Sequence, residues 1–281
     1  GTQWDGSELA GRRILIHFEQ GFGDAIQCIR YVPFIAERGG RVILAVPAEM
    51  KRLMQSVKYV EHLVTLSDPL PSYDIHCPIM SLPLAFKTTL QTIPAESPYL
   101  RSDPDLKRQW QSRLPNDNRL KIGLAWAGRR RPDPHRAVSP AELAPLADVT
   151  GVWFCSLQKP AVSPPPGVQL ADFADELRDF ADTAALMENL DLIITIDTSI
   201  AHLAGALGKP TWVLLKDVPD WRWLLGREDS PWYPTMRLFR QTRRGDWESP
   251  VRRVRQAIEL YSTARSKSPA AGDSRPSPRP R

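Results

Sequence analysis

The alternation of apolar and polar positions changes period repeatedly along the first half of the chain. Residues 12–18 form a short β-branched and apolar run, the signature of a strand. Gln20-Gly21-Phe22-Gly23-Asp24 interrupts it. From Ala25 to Arg38 the apolar residues Ile26, Ile29, Val32, Ile35 and Ala36 recur at helical spacing until Gly39-Gly40 stops them. After a turn-rich start over residues 1–11, the same rhythm predicts further strands at 41–46, 61–66 and 73–79, with a proline-opened helix at 47–57. Strands and helices alternating at this length imply a parallel sheet covered by helices.

Residues 94–118 are polar and proline-bearing, with a linker helix expected at 107–113, and then the rhythm restarts. Strands are expected at 121–127, 152–157, 190–196, 211–215 and 236–239, with a proline-rich loop at 161–167. Ser139-Pro140-Ala141-Glu142 is a capping box that opens a helix. Asp182 is expected to cap a helix running to about Asn189, and a helix at 199–207 ends at Gly208. A last helix starts at Ser249-Pro250 and ends near Tyr261. The pattern divides the chain into an N-terminal domain over 1–115, a C-terminal domain over 116–262 and a basic, aperiodic tail over 263–281, expected to be disordered. Both domains read as doubly wound α/β units facing across a cleft, where ligands bind outside the carboxyl ends of the strands. No repeat of about 34 residues is present.

Composition narrows the function classes. With 281 residues, 42% hydrophobic and 25% charged, the chain is long enough for one large or two modest cores. No apolar run approaches the ~18 residues of a membrane span. The formal charge is +5, but residues 265–281 carry five basic side chains against Asp273, so the first 264 residues are nearly neutral. Nucleic-acid binding is therefore disfavoured, since it wants a basic face on the folded part. Contact of the tail with an anionic membrane surface should be weak. Cys28, Cys77 and Cys155 are odd in number and far apart, which fits a reducing, cytoplasmic setting without a disulfide framework. No HExxH, GxSxG or Walker pattern occurs, and neither a metal nor a cofactor is expected.

Three loops carry candidate chemistry. Gln20, Gly21 and Gly23 surround Asp24 at the end of the first strand, where glycines would let a ligand approach the backbone. There Asp24 either takes a proton from an attacking hydroxyl or caps the helix. Asp197, Thr198, Ser199 and His202 open a helix rich in small residues, a seat for phosphate at free backbone N–H groups. The alternative is a simple cap followed by a buried histidine. Residues 128–136 hold Arg129, Arg130, Arg131 and Arg136, a set suited to a diphosphate or simply to a solvated loop. Trp126, Trp212, Trp221, Trp223 and Trp232 either fill the core or stack on sugars.

The segments FEQGFGDAIQCIRYVPFI (18–35), LDLIITIDTSIAHLAGALGKPTWVLL (190–215) and DWRWLLGREDSPWYP (220–234) carry a resemblance. They resemble the glycosyltransferase-like domain of bacterial tetratricopeptide-repeat proteins, which is similar to the family 9 heptosyltransferases. The resemblance spans roughly residues 10 to 260. It implies a GT-B fold of two Rossmann-like domains and an inverting, metal-independent transfer from a nucleotide-diphospho-sugar. The N-terminal domain would take the acceptor, a glycan, a lipid-linked group or a protein, and the C-terminal domain the donor. Gly23-Asp24 matches the family's Gly-Asp, which places the proposed general base at Asp24. The family's Asp-Thr-Gly-x-x-His falls on Asp197, Thr198 and His202, with Ser199 in place of glycine. Its Thr-Thr and lysine have no clean match in 126–136, where Arg136 would stand for the lysine. The family's neighbouring repeats are absent from these 281 residues, which leaves open whether the chain is a fragment with tetratricopeptide repeats upstream. A catalytically silent nucleotide-sugar or glycan-binding adaptor is the alternative reading. A dinucleotide-dependent oxidoreductase is disfavoured, because Gly21-Phe22-Gly23 lacks a third glycine and no acidic residue ends the second strand.

Overall fold

Residues at alternate strand positions face two different cores, and that alternation builds the molecule. The computed structural model describes residues 1–129 and 133–267. In the N-terminal half, β1 (Thr2–Gln3), β2 (Arg13–His17), β3 (Arg41–Val46), β4 (Val60–Thr65) and β5 (Ile75–Pro78) form a wholly parallel sheet in the order β1-β5-β2-β3-β4. The crossovers carry α1 (Phe22–Cys28), α2 (Val32–Glu37) and α3 (Ala48–Met54), and α4 (Leu82–Ala85) follows β5. Ile14 and Ile16 of β2 and Val42, Leu44 and Val46 of β3 turn inward, while Leu15, Ile43 and Ala45 turn to the other face.

In the C-terminal half, β6 (Leu120–Ala125), β7 (Val152–Ser156), β8 (Leu170–Ala171), β9 (Leu192–Ile196), β10 (Thr211–Leu215) and β11 (Met236–Arg240) form a second parallel sheet, ordered β11-β10-β9-β6-β7-β8. Ile193, Val213 and Leu215 face the same core as the N-terminal sheet. Leu192, Ile194, Trp212 and Leu214 face an outer core closed by α8 (Glu248–Lys267) and by a 3₁₀ segment over Pro140–Asp148. Between the sheets, α1 packs on α7 (Ser199–Ala206), and α3 and α5 (Pro104–Gln111) pack on α6 (Phe180–Glu188). One continuous apolar core therefore runs from Ile14 through α1 and α7 to Val213. In both sheets the strand order reverses beside the first central strand, at β2/β5 and at β6/β9, and these switch points hold the loops singled out above.

Several local expectations are corrected. The first helix begins at Phe22, not Ala25, and passes through a 3₁₀ turn at Ile29–Tyr31 into α2. Thr2–Gln3 is an edge strand rather than a turn. Ser139 opens a 3₁₀ segment, with Pro145 inside it, and not an α-helix. Asp179, not Asp182, caps α6 through the amides of Ala181 and Asp182. Asp182 instead pairs with Arg178 and Arg52. The last helix continues past Tyr261 and residue 263 to Lys267; the remainder of the tail, 268–281, lies outside the described residues. No helix among the described residues is long and apolar enough to cross a membrane.

A shared core predicts shared unfolding. Calorimetry on the whole chain is expected to show one endotherm, and Leu203→Ala in α7, fully buried in that core, should cost about 2–5 kcal/mol and lower that single transition as a unit. Two separated transitions, only one of them shifted by the substitution, would contradict a common core.

Candidate functional site

The chain leaves β2 and turns sharply at Gln20, whose backbone takes a left-handed φ of 60° and whose side chain is exposed. Gly21 then caps α1. Asp24, three residues on, returns its Oδ2 to the Gly21 N–H at 2.7 Å, so the capping role of this carboxylate is real. Its other oxygen, Oδ1, accepts from Nη2 of Arg222, which comes from the C-terminal half. The Asp24 side chain is 19% exposed and that of Arg222 9%. Arg222 is further fixed by Asp220 Oδ1 at 2.8 Å from Nη1 and by Gln27 Oε1 at 2.6 Å from Nε, and its guanidinium lies over the Trp221 ring at 4.7 Å. The loop that delivers it is strained: Leu224 sits at φ 55°, ψ −170°, a region that side chains other than glycine's rarely permit.

Across the junction, the loops after β6 and β9 converge. A Cβ on Gly128 would lie 2.9 Å from Cγ2 of Thr198 and 3.5 Å from the Arg136 guanidinium, so these three residues adjoin. Thr198 caps α7 by accepting from the Ile200 amide at 3.3 Å, and Ser199 begins the helix, partly exposed. Arg136 donates to the Arg129 carbonyl at 3.1 Å, while its Nε is buried without an acceptor. Arg129 reaches the other half, its guanidinium 5.6 Å from the centre of the Phe22 ring at the first turn of α1. Asp197 is pushed to a higher pKa by burial, with Arg136 and Arg222 pulling the other way. Arg130 and Arg131 lie outside the described residues.

Four contributors were not evident from local sequence. Arg222 is one. Gln158 is another: its Oε1 accepts from the amides of Trp126 and Ala127 at 3.1 and 2.9 Å, and its Nε2 donates to the Ala127 carbonyl, which holds open the loop after β6. Lys216, at the end of β10, pairs with Asp133 at 2.6 Å. Burial alone would raise the Asp133 carboxyl, but Lys216 and the His135 amide hold it below its ordinary value. Tyr233 is the fourth, through its hold on His202.

His202 does not line the opening. It is 4% exposed, its Nδ1 is 2.8 Å from the Tyr233 hydroxyl, and it stacks on Trp223 at 5.6 Å. It is buried, and through Nδ1 its imidazole joins α7 to the segment that carries Tyr233. The glycines are likewise explained by protein. A Cβ at Gly23 would come within 2.6 Å of His202 Cδ2, and one at Gly21 within 3.0 Å of the Asp24 carboxylate, so neither clears space for a ligand. Trp126, Trp212, Trp223 and Trp232 are buried; Trp221, at 55% exposure, stands open beside Arg222.

Two outcomes follow for this junction. Gly23→Ala forces a methyl against a ring held between two helices, and should cost about 1–3 kcal/mol in chemical denaturation. Burial foremost, and then Arg222 and Arg30, hold the His202 pKa well below 6.5. The unfolded chain therefore takes up a proton that the folded one refuses, so stability falls as pH drops below about 6.5, by up to ~1.4 kcal/mol per pH unit. Comparing wild type with His202→Gln between pH 7 and pH 5 checks this: the wild type should lose more, and equal slopes would be the contrary result.

No established family model matches the chain. It is 26% identical to Protein FlbA of Caulobacter vibrioides over 94% of its own length, and spans about half, 49%, of that protein. In fold it is similar to a family 9 glycosyl transferase from Veillonella parvula, with a TM-score of 0.66 and 12% identity over 92% of this chain and 99% of that one. It is also similar to Escherichia coli ADP-heptose lps heptosyltransferase II, with a TM-score of 0.64 and 14% identity over 90% and 99%. E. coli heptosyltransferase WaaC, solved with ADP-2-deoxy-2-fluoro heptose, matches with a TM-score of 0.55 and 12% identity over 89% and 99%. The two parallel sheets and the helices between them are thus the GT-B arrangement of the family 9 heptosyltransferases.

Proposed function

We propose that the chain is a glycosyltransferase module that moves a sugar from a nucleotide-diphospho-sugar to a hydroxyl acceptor, inverting the anomeric carbon without a metal ion. One observation carries the reading: Arg129 of the donor-side switch loop rests on Phe22, two residues from Asp24, so both switch points open onto one junction. Residues 1–115 would present the acceptor and 116–262 the donor. Thr198, Ser199, Arg136 and Arg129 would take the diphosphate, Asp197 would shape the floor beneath it, and Gln20, exposed at the turn, would face the acceptor with Gly21 and Gly23 beside it.

In the step itself, the acceptor oxygen gives its proton to the Asp24 carboxylate and bonds the anomeric carbon. The bond from that carbon to the diphosphate breaks on the opposite face, and the departing charge meets the start of α7 and the arginines. Asp24 can serve although both its oxygens are engaged, because a carboxylate has about four lone-pair positions and the Gly21 amide and Arg222 use two. The same engagement favours a second reading, a silent nucleotide-sugar-binding adaptor whose Asp24 only ties the halves together.

The experiment is a thermal-shift screen against ADP, UDP, GDP and dTDP, then turnover with the matching nucleotide sugars. Asp24→Asn should lower turnover about 10²- to 10⁴-fold and leave donor affinity nearly unchanged. Donor binding with neither transfer nor hydrolysis would select the adaptor; full activity in Asp24→Asn would remove Asp24 from the chemistry.

A further inference from the structure

Of the nine tryptophans, seven are buried, Trp153 is half-buried and Trp221 is exposed. Trp221 opens the 3₁₀ turn Trp221–Trp223, which Asp220 caps by accepting from the Arg222 amide at 3.1 Å. Its ring is held by two neighbours. The Arg222 guanidinium lies 4.7 Å from the ring centre, and the buried Trp232 meets it at 6.0 Å and 78°. The turn itself is fixed from below: Arg240 donates to the carbonyls of Trp223 and Arg227 at 2.6 and 2.8 Å, and the strained Leu224 closes it. Such strain persists only where the surroundings over-determine the backbone. An aromatic ring presented in this way loses little freedom when a ligand stacks on it.

The neighbours of the ring define what can stack there. The guanidinium occupies one face, and a residue more than half exposed must offer the other to solvent. A cation already on one face weakens the hold of the ring on a second, so a cationic ligand is disfavoured. Asp24 and Asp220 both pair with Arg222, two carboxylates to one guanidinium, and the surplus negative charge repels a phosphate. A neutral ligand with an apolar face remains. Polar groups adjoin it: Asp24 takes Arg222 on Oδ1 and the Gly21 amide on Oδ2, so the carboxylate is flanked by Trp221 on one side and by the exposed Gln20 on the other. A flat aromatic face, an amide and a carboxylate together match a pyranose, whose C–H face is apolar and whose rim carries hydroxyls. A peptide or an acyl chain would use the ring and leave the polar rim unanswered.

We propose that Trp221 is the stacking platform for a pyranose ring of the acceptor, which makes the acceptor a carbohydrate. The apolar face of the sugar lies on Trp221, with one hydroxyl toward Asp24 and the rim toward Gln20. The assignment rests on the reading of this junction as a transfer site, but it concerns binding alone and is tested without turnover.

The test probes an array of bacterial hexosides, heptosides and their oligosaccharides with the full chain, biotinylated and displayed multivalently on streptavidin, and then titrates each bound glycan calorimetrically. Serine-bearing peptides and phospholipid vesicles serve as the competing probes. Binding of at least one glycan is expected, retained in Trp221→Phe and weakened about tenfold or more in Trp221→Leu, which keeps an apolar side chain without a ring face. Trp221 is exposed, so both variants should keep the Tm of the wild type. No glycan bound, or a glycan bound equally by wild type and Trp221→Leu, would overturn the proposal. So would ring-dependent binding of the peptides or vesicles alone, which would assign Trp221 to a protein or lipid acceptor, or protection of Trp221 from acrylamide quenching by ADP and by no glycan. Ring-dependent glycan binding without transfer from any nucleotide sugar would leave the platform standing and remove the transferase reading.

Discussion

The close approach of α1 and α7 is the constraint on which the rest of the molecule depends. Two helices can come together this tightly only where one of them presents no side chain, and Gly23 supplies that gap for the ring of His202. The approach sets the distance between the two sheets, brings the loop after β6 onto Phe22, and lets Arg222 reach Asp24. A larger residue at position 23 would separate the sheets before it disturbed any candidate reacting group. The apolar core that spans the halves is thus a consequence of packing at one glycine as much as of total hydrophobic area.

Electrostatics at the junction follow from the same closeness. His202 is buried against Tyr233 and Trp223, and that burial, followed by the charges of Arg222 and Arg30, disfavours an imidazolium there. Arg222 is compensated by Asp24 and Asp220 together. Asp24 therefore has two structural duties, closing the first turn of α1 and neutralising a nearly buried arginine. A carboxylate with those duties is held rigidly, which suits a positioned base as well as it suits a fastening.

What could be read from the sequence was local, and what could not was set by distant partners. The strands of both sheets stand out because alternate residues face different cores, and the helix at Thr198 because its cap and its terminal Gly208 are neighbours in sequence. Thr2–Gln3 is illegible because two residues on an edge leave no period. Asp182 resembles a cap but lies inside α6 and pairs with Arg178 and with Arg52, 130 positions away, while Asp179 takes the cap. Asp24 and the loops at Thr198 and Arg136 were visible as candidates. Arg222, Gln158 and Lys216 were not, because the sequence gives no sign of what each will face. The choice between roles for His202 and for Gly23 likewise waited on their meeting each other.

Arg30 carries one more consequence. It is almost fully buried and has no carboxylate partner among the described residues; its donors go to the carbonyls of Gln27, Pro94 and Trp232 and to the Tyr99 hydroxyl, and its flat face meets the rings of Tyr99 and Tyr233. Those donors lie in one plane, so the carbonyl of Trp232 is satisfied at a single twist of one half upon the other. A lysine would tolerate a range of angles; this guanidinium does not. The molecule is keyed against rotation about the line joining its sheets, and any opening that admits a large ligand must tilt about this pivot or dismantle it.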